Sequence, residues 1–258
     1  GTLGAVTRAR LRLVPRLDGR ATGLVAFAGV EAALAALAEL RGRLSGCLEA
    51  AEMFFAGGVA LVCDHLGIPP PFPTPHPVYL LVEVAASHDP TEELAAAVLE
   101  GVGEQALEGA VESDPAGRAR LWRYREAHTE AVNAAGVPVK LDIALPGPAL
   151  AEFVPRVHEA VAGAVPKARC VLFGHAGDGN LHVNVLGAPA GEGPRSIEDA
   201  VLRLVADLGG SISAEHGIGV AKRPWLHLNR TPAEIAAFRA VKFALDPKGI
   251  LNPDVLLP

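Results

Sequence analysis

Residues 6–14 (VTRARLRLV) alternate apolar and basic side chains, the two-residue period of a half-buried strand, and Pro15 ends the run. Gly1-Thr2-Leu3-Gly4 before it carries no capping or initiation signal, so the chain reads as one cut from something longer. The pattern next predicts a strand over 21–27, an alanine- and leucine-rich helix over 30–40 ending at Gly42, and a strand over 47–55 that carries Glu52 and Met53. That is a β-α-β unit. A short helix over 57–66 follows, and Pro69-Pro70-Pro71-Phe72-Pro73 then imposes an extended stretch, read as a rigid connector rather than a ligand for a proline-binding partner.

Residues 78–85 (VYLLVEVA) predict another strand, and Asp89-Pro90-Thr91-Glu92-Glu93 is a helix start. Gly101-Val102-Gly103 resembles half of a dinucleotide fingerprint but falls inside or at the end of that helix instead of after a strand, so it is not read as a cofactor loop. One long helix is predicted over 118–135, a strand over 137–145, and a helix over 149–165 with Leu150, Phe153, Val154 and Val157 on its apolar face. Strands over 170–173 and 181–186 are joined by a glycine turn, and a helix over 232–245 leads into the punctuated tail Asp246-Pro247-Lys248-Gly249-Ile250-Leu251-Asn252-Pro253. The sum is an α+β sheet with helices covering one face.

With 258 residues, half of them hydrophobic, the chain can bury a substantial core. No apolar run reaches the roughly 18 residues that span a bilayer, and the start lacks the features of a secretory signal, which points to a cytoplasmic protein. A net charge of −6 without a basic stripe removes nucleic acid as a partner. Cys47, Cys63 and Cys170 are odd in number and form no C-x-x-C pair, so they encode neither a disulfide framework nor a thiolate metal cage.

The chemistry concentrates in two places. In Gly174-His175-Ala176-Gly177-Asp178-Gly179-Asn180-Leu181-His182-Val183-Asn184, two imidazoles bracket a tight turn, and His182 and Asn184 share a strand face. About thirty residues later Glu215-His216 adds a carboxylate and a further imidazole in another glycine-rich setting. Of Glu215 and His216 one can bind metal while the other handles a proton, and His175 and His182 with Glu215 would hold a divalent ion, zinc, manganese or iron, with open positions. On the predicted long helix Trp122, Arg125, Glu126 and Thr129 follow three- and four-residue spacing, so Arg125 and Thr129 can grip one anion. Lys140, on the next strand with Asp142 on the same face, would add a second positive charge.

Together these motifs resemble the C-terminal part of the FAD-linked D-2-hydroxy-acid dehydrogenases of the vanillyl-alcohol-oxidase type, which oxidise D-lactate, glycolate or D-2-hydroxyglutarate. The resemblance runs end to end. Residues 1–7 are similar to the end of that family's flavin-binding domain, 173–185 to its metal-binding signature, 213–219 (SAEHGIG) to its active-site signature, and 245–253 to its closing segment. The resemblance implies a substrate cap of ferredoxin-like type, an antiparallel sheet covered by helices, with a C-terminal helical tail returning to a flavin domain. It divides the chain into residues 1–15 as the end of the flavin-binding domain, 16–216 as the substrate domain with the metal site, and 217–258 as a helical segment and flavin-proximal tail.

By the same resemblance His175, His182 and Glu215 bind the metal, His216 is the base that removes the substrate hydroxyl proton, and Asn184 orients substrate. Arg125, Thr129 and Lys140 bind the substrate carboxylate, and Asn252 approaches the flavin. The cofactors implied are FAD and a divalent metal; the partners are a small 2-hydroxy acid and an N-terminal flavin domain or complementary subunit, with room for a homodimer. Membrane association, where it occurs, would be peripheral through an electron-acceptor partner. Because the flavin-binding part is not among these residues, the chain by itself is expected not to turn over. Two other readings use the same residues without flavin: a metal-dependent hydrolase built on a His/His/Glu site, and a non-catalytic metal- or carboxylate-binding module.

Overall fold

The computed structural model describes residues 1–101, 103 and 105–257. Val102 of the Gly101-Val102-Gly103 segment lies outside the described residues. The elements in order are β1 (Gly19–Phe27), α1 (Val30–Arg43), β2 (Leu48–Phe55), α2 (Ala56–Leu66), β3 (Val78–Ala86), α3 (Thr91–Ala96) and a π-helical turn over Ala97–Gly101. Then come β4 (Ala106–Glu112), α4 (Pro115–Glu126), α5 (His128–Ala135), β5 (Val139–Ala144), α6 (Gly147–Ala164), β6 (Arg169–His175) and β7 (Asn180–Leu186). The chain continues through α7 (Glu192–Asp207), α8 (Gly219–Lys222), a 3-10 turn (Arg223–Leu228) and α9 (Pro232–Leu245).

The strands form one sheet in the order β4-β1-β3-β2-β6-β7-β5, every neighbouring pair antiparallel. Its topology is a duplication. In the first half β1, α1, β2 and β3 place β3 between β1 and β2, and β4 returns beside β1, which is the ferredoxin-like arrangement. In the second half β5, α6, β6 and β7 repeat it, with β7 between β5 and β6. The fourth strand of this half is reduced to a single bridge between Ser211 and Ala144 of β5. The halves meet where β2 pairs with β6, placing Glu52 opposite His175.

Strand alternation gives the sheet two different faces. On one, Val25, Met53, Leu80, Ile143, Leu172 and Val183 pack under α1, α6 and α7 in a continuous core. The helices present matching stripes: Leu150, Phe153, Val157 and Val161 on α6, and Ile197, Val201, Leu204 and Val205 on α7. Burying each such side chain stabilises the fold by about 1.5–3 kcal/mol. The opposite face is covered by α2, α4 and α5 over its first-half strands, with Leu24, Phe54, Tyr79, Leu121 and Phe173 in the smaller core beneath them. Helices therefore flank both faces, where the sequence pattern had placed them on one.

Four local differences have physical causes. Residues 6–14 are not a strand: Val6, Leu11, Leu13 and Val14 are exposed and the segment has no ladder partner among the described residues, so the alternating pattern has nothing to pair with. The helix expected over 118–135 is two helices meeting at Ala127, where the His128 Nδ1 reaches the Arg125 carbonyl at 3.2 Å and interrupts the ladder. β4 has a glycine at its centre and weak strand propensity, yet forms because β1 offers a free edge. The helix α7 starts in the breaker-rich run Gly191-Glu192-Gly193-Pro194, which hides the periodic stripe behind it.

Candidate active site

The partly uncovered face of the second half carries a cavity of about 260 Å³. β5 and β7 supply its floor: Lys140 pairs with Asn184 and, one same-face step along, Asp142 pairs with His182. Arg125 from α4 and Thr129 from α5 form one wall, and Glu215 and His216 the other. The sequence placed Arg125 and Thr129 on one helical face, and both reach this cavity despite the break between α4 and α5. Asn184 is buried and its amide Nδ2 has no partner in the protein, leaving a donor at the cavity floor.

In the same cavity region three imidazoles converge on one carboxylate oxygen. Glu215 Oε1 lies 3.9 Å from His175 Nε2, 3.8 Å from His182 Nε2 and 3.8 Å from His216 Nε2. Ligand atoms on a tetrahedral ion with bonds of about 2.0–2.1 Å sit about 3.4 Å apart, so each imidazole stands a few tenths of an ångström beyond that spacing from the Glu215 oxygen. The group whose ligand atoms all lie within 4.8 Å of one another is Asp142, His182, Glu215 and His216, which contains two of the three sequence-predicted ligands and His216 in place of His175. The donor chemistry, imidazole nitrogen and carboxylate oxygen, fits zinc, manganese or iron.

Two carboxylates behind this cluster orient it, and the motifs did not single them out as site residues. Glu52 of β2 accepts from His175 Nδ1 at 2.6 Å and from Arg125 Nε at 2.6 Å. The Asp142 Oδ2 accepts the backbone N–H groups of Ala214, Glu215 and His216 at 3.1, 2.9 and 2.9 Å, while its Oδ1 faces His182 Nδ1 at 3.6 Å. The buried Lys222 donates to the Asp142 carbonyl at 2.6 Å. A charged residue flanked by apolar ones within a strand, Glu52 in LEAAEMFF and Asp142 in VKLDIA, was the available signal for both acids, although each strand carries a second charge, Glu49 and Lys140.

Local backbone chemistry builds the turn between β6 and β7. Gly179 has φ +76°, and a Cβ there would stand 2.1 Å from the Leu145 carbonyl oxygen, so only glycine fits. Gly177 is held from the side by Arg41, which donates to its carbonyl, and by its own N–H to the Ala51 carbonyl at 3.3 Å. These contacts bring His175 and His182 to a ring separation of 5.7 Å.

Burial, and then the Arg125 and His175 charges, push His182 below the usual histidine value against the opposing pull of Asp142 and Glu215. Burial likewise lowers the Lys222 ammonium. The Arg125 guanidinium lies 4.9 Å from the Phe173 ring centroid, and Phe173 in turn packs 5.2 Å from the His182 ring.

Of the nine residues singled out from the sequence, Arg125, Thr129, Lys140, His182, Asn184, Glu215 and His216 line one cavity, and His175 joins it through Glu215. Asn252 stands elsewhere. Its Nδ2 donates to the Gly1 carbonyl at 2.8 Å, and it borders an apolar cavity of about 420 Å³ with Thr2, Phe238 and Leu256.

Residues 18–256 match the family described as FAD linked oxidases, C-terminal domain. The chain is 37% identical over 264 residues to a D-2-hydroxyglutarate dehydrogenase of Xanthomonas citri pv. viticola, covering 99% of this chain and 55% of that protein. It is 34% identical to a mitochondrial D-2-hydroxyglutarate dehydrogenase of Rattus norvegicus, covering 100% of this chain and 48% of that one. The chain thus spans about half the length of the curated relatives it matches. In fold it is similar to a 4-ethylphenol oxidase from Gulosibacter chungangensis (TM-score 0.63, 15% identity, 96% of this chain and 56% of that one). It is also similar to p-cresol methylhydroxylase (TM-score 0.62, 13% identity, 93% and 53%). Among the described residues no helix is long and apolar enough to cross a membrane.

Proposed function

The chain belongs to the C-terminal-domain family of FAD linked oxidases, and from that premise we propose that it is the substrate half of a flavin-dependent dehydrogenase that oxidises a D-2-hydroxy acid to the 2-oxo acid. The observation that carries this reading is the convergence of three imidazole Nε2 atoms on Glu215 Oε1 beside a cavity that Arg125 and Lys140 also line. Such a site takes an anion with a hydroxyl group a short distance from its carboxylate.

In this reading His175, His182 and Glu215 hold the ion, because the Nδ1 of His175 is anchored on Glu52 and that of His182 faces Asp142. His216 has no such anchor, and its side chain is 66% exposed, which leaves its Nε2 free to take the hydroxyl proton. When bound, the metal supplies polarisation of the hydroxyl and the flavin supplies a hydride acceptor. Arg125 and Lys140 neutralise a substrate carboxylate, Thr129 and the unpartnered Asn184 amide fix its orientation, and Phe173 keeps the guanidinium plane still.

The substrate class proposed is a 2-hydroxy dicarboxylic acid of the 2-hydroxyglutarate type. The Lys140–Asn184 pair and the Asp142–His182 pair are one same-face step apart on β5 and β7, about 7 Å. A second carboxylate two methylenes beyond the reacting carbon reaches from the imidazoles to the cations, whereas lactate or glycolate leaves one end unfilled. The names of the relatives agree with this choice.

The flavin is proposed to be held mainly by the part of the relatives that this chain does not cover, since it spans 55% and 48% of two of them, and turnover is proposed to require that part. Residues 1–15 and 217–258 are the segments proposed to meet that part, with Asn252 near the flavin. In support, the two segments are tied together by Lys242, whose Nζ donates to the carbonyls of Thr2 and Leu251 at 2.7 and 2.6 Å. The proposed setting is the cytoplasm, and any membrane association would be peripheral, through an electron-acceptor partner.

The test is an anaerobic absorption spectrum of the complete gene product before and after adding D-2-hydroxyglutarate, D-lactate or glycolate. Bleaching of bound flavin by D-2-hydroxyglutarate at the lowest concentration is the expected result. Bleaching by lactate alone would overturn the dicarboxylate assignment, and absence of flavin would overturn the dehydrogenase.

A further inference from the structure

We propose that Glu52 is the positioning residue of this site: one buried carboxylate that sets the ligating tautomer of His175 and aims Arg125 at the substrate. The proposal rests on the metal-assisted reading above and adds to it a residue outside the motifs that carry that reading. Glu52 lies on β2, in the first half of the sheet, opposite His175 at the junction of the halves. Its side chain is only 7% exposed, and its two oxygens are divided between two partners at 2.6 Å each.

The chemistry of those partners decides the rest. The Nε of Arg125 can only donate, and a carboxylate can only accept. The His175 Nδ1 facing the other oxygen therefore carries the proton, and in the neutral ring the lone pair is left on Nε2, the atom 3.9 Å from Glu215 Oε1. The same carboxylate holds Arg125 by Nε, so both Nη groups stay free for a substrate carboxylate while Phe173 supports the face of the guanidinium. His175 and Arg125 are thus aligned by a single side chain.

Glu52→Gln separates this role from simple packing, because glutamine has the same shape but one acceptor and one donor end. Its oxygen must face Arg125 Nε–H, since the amide NH₂ cannot. The NH₂ then faces His175 Nδ1, which accepts only if the ring proton moves to Nε2, and that tautomer cannot bind a metal. Removing the arginine as well frees the amide to turn its oxygen toward His175 and restores the ligating tautomer.

The experiment measures zinc affinity by chelator competition in the complete gene product, its E52Q variant and the double variant E52Q/R125M. The expected result is a loss of about 10–100-fold in E52Q and recovery of most of that loss in the double variant, which a purely structural role would make worse. A ¹⁵N spectrum of the imidazoles of the unaltered metal-free protein should show His175 protonated at Nδ1, a readout that needs no variant to fold. Zinc bound by E52Q as tightly as by the unaltered protein, no recovery in the double variant, or a proton on Nε2 of His175 would each overturn the role of Glu52 alone. An unaltered protein that binds no zinc would overturn the metal-assisted reading together with it.

Discussion

Asp142 holds Glu215 by its backbone and not by its side chain: the Asp142 Oδ2 accepts the Glu215 N–H at 2.9 Å, together with the N–H groups on either side of it. Burial raises the Asp142 carboxyl, but the His216 and Glu215 N–H groups and the Lys222 charge outweigh it and hold the group below the usual aspartate range. Asp142→Asn offers one oxygen where two are used, so either the loop or His182 loses its partner. Metal affinity is expected to fall about 10–100-fold with little change in helix content, measured by chelator competition and circular dichroism.

The three imidazoles stand 3.8–3.9 Å from Glu215, so the division of roles rests on the anchors behind His175 and His182 rather than on distance. His216→Ala is expected to retain the metal and to slow flavin reduction by about 10²–10⁴-fold, the usual contribution of a general base. His175→Ala is expected to lose the metal. Metal content by elemental mass measurement and single-turnover flavin reduction check both, and equal metal loss in the two variants would overturn the division.

Gly179→Ala places a methyl 2.1 Å from the Leu145 carbonyl and forces alanine into a φ of +76°. The expected cost is about 1–3 kcal/mol, with His182 drawn out of line and metal retention lost. Gly177→Ala in the same turn meets nothing closer than 3.5 Å and serves as the control, with a change within about 0.5 kcal/mol. Denaturant midpoints of the two variants decide.

His128 is enclosed between Phe54 and Phe173, at ring separations of 5.3 and 4.9 Å, and burial followed by the Arg125 charge lowers it from 6.5 to about 4. The unfolded chain therefore binds a proton between those values that the folded chain does not. Stability is unaffected above pH 6.5 and falls as pH drops toward 4, by up to about 3 kcal/mol. His128→Asn keeps a donor for the Arg125 carbonyl and removes the titration. Its unfolding free energy should decline less than that of the unaltered protein between pH 7 and pH 4.

The sequence by itself determined the local elements with strong periods, including the strand at Val78–Ala86 and the helix at Pro232–Leu245, whose capping box of Thr231 and Glu234 matches its predicted start. It also marked residues that the structure brings together, because His175 and His182 across a short glycine turn, and Glu215 beside His216, are close in the chain before they are close in space. Tertiary structure decided the helices on the second face, the edge strand Ala106–Glu112 and the partners of Glu52 and Asp142. Glu52 is 123 residues from His175 and 73 from Arg125, and Asp142 is 73 from Glu215. Local periodicity reports which face a side chain takes, but not which strand lies beside it. That neighbour is set by strand order, and here the order brings the two halves of the sheet together at β2 and β6, where one buried carboxylate can hold a histidine and an arginine at once.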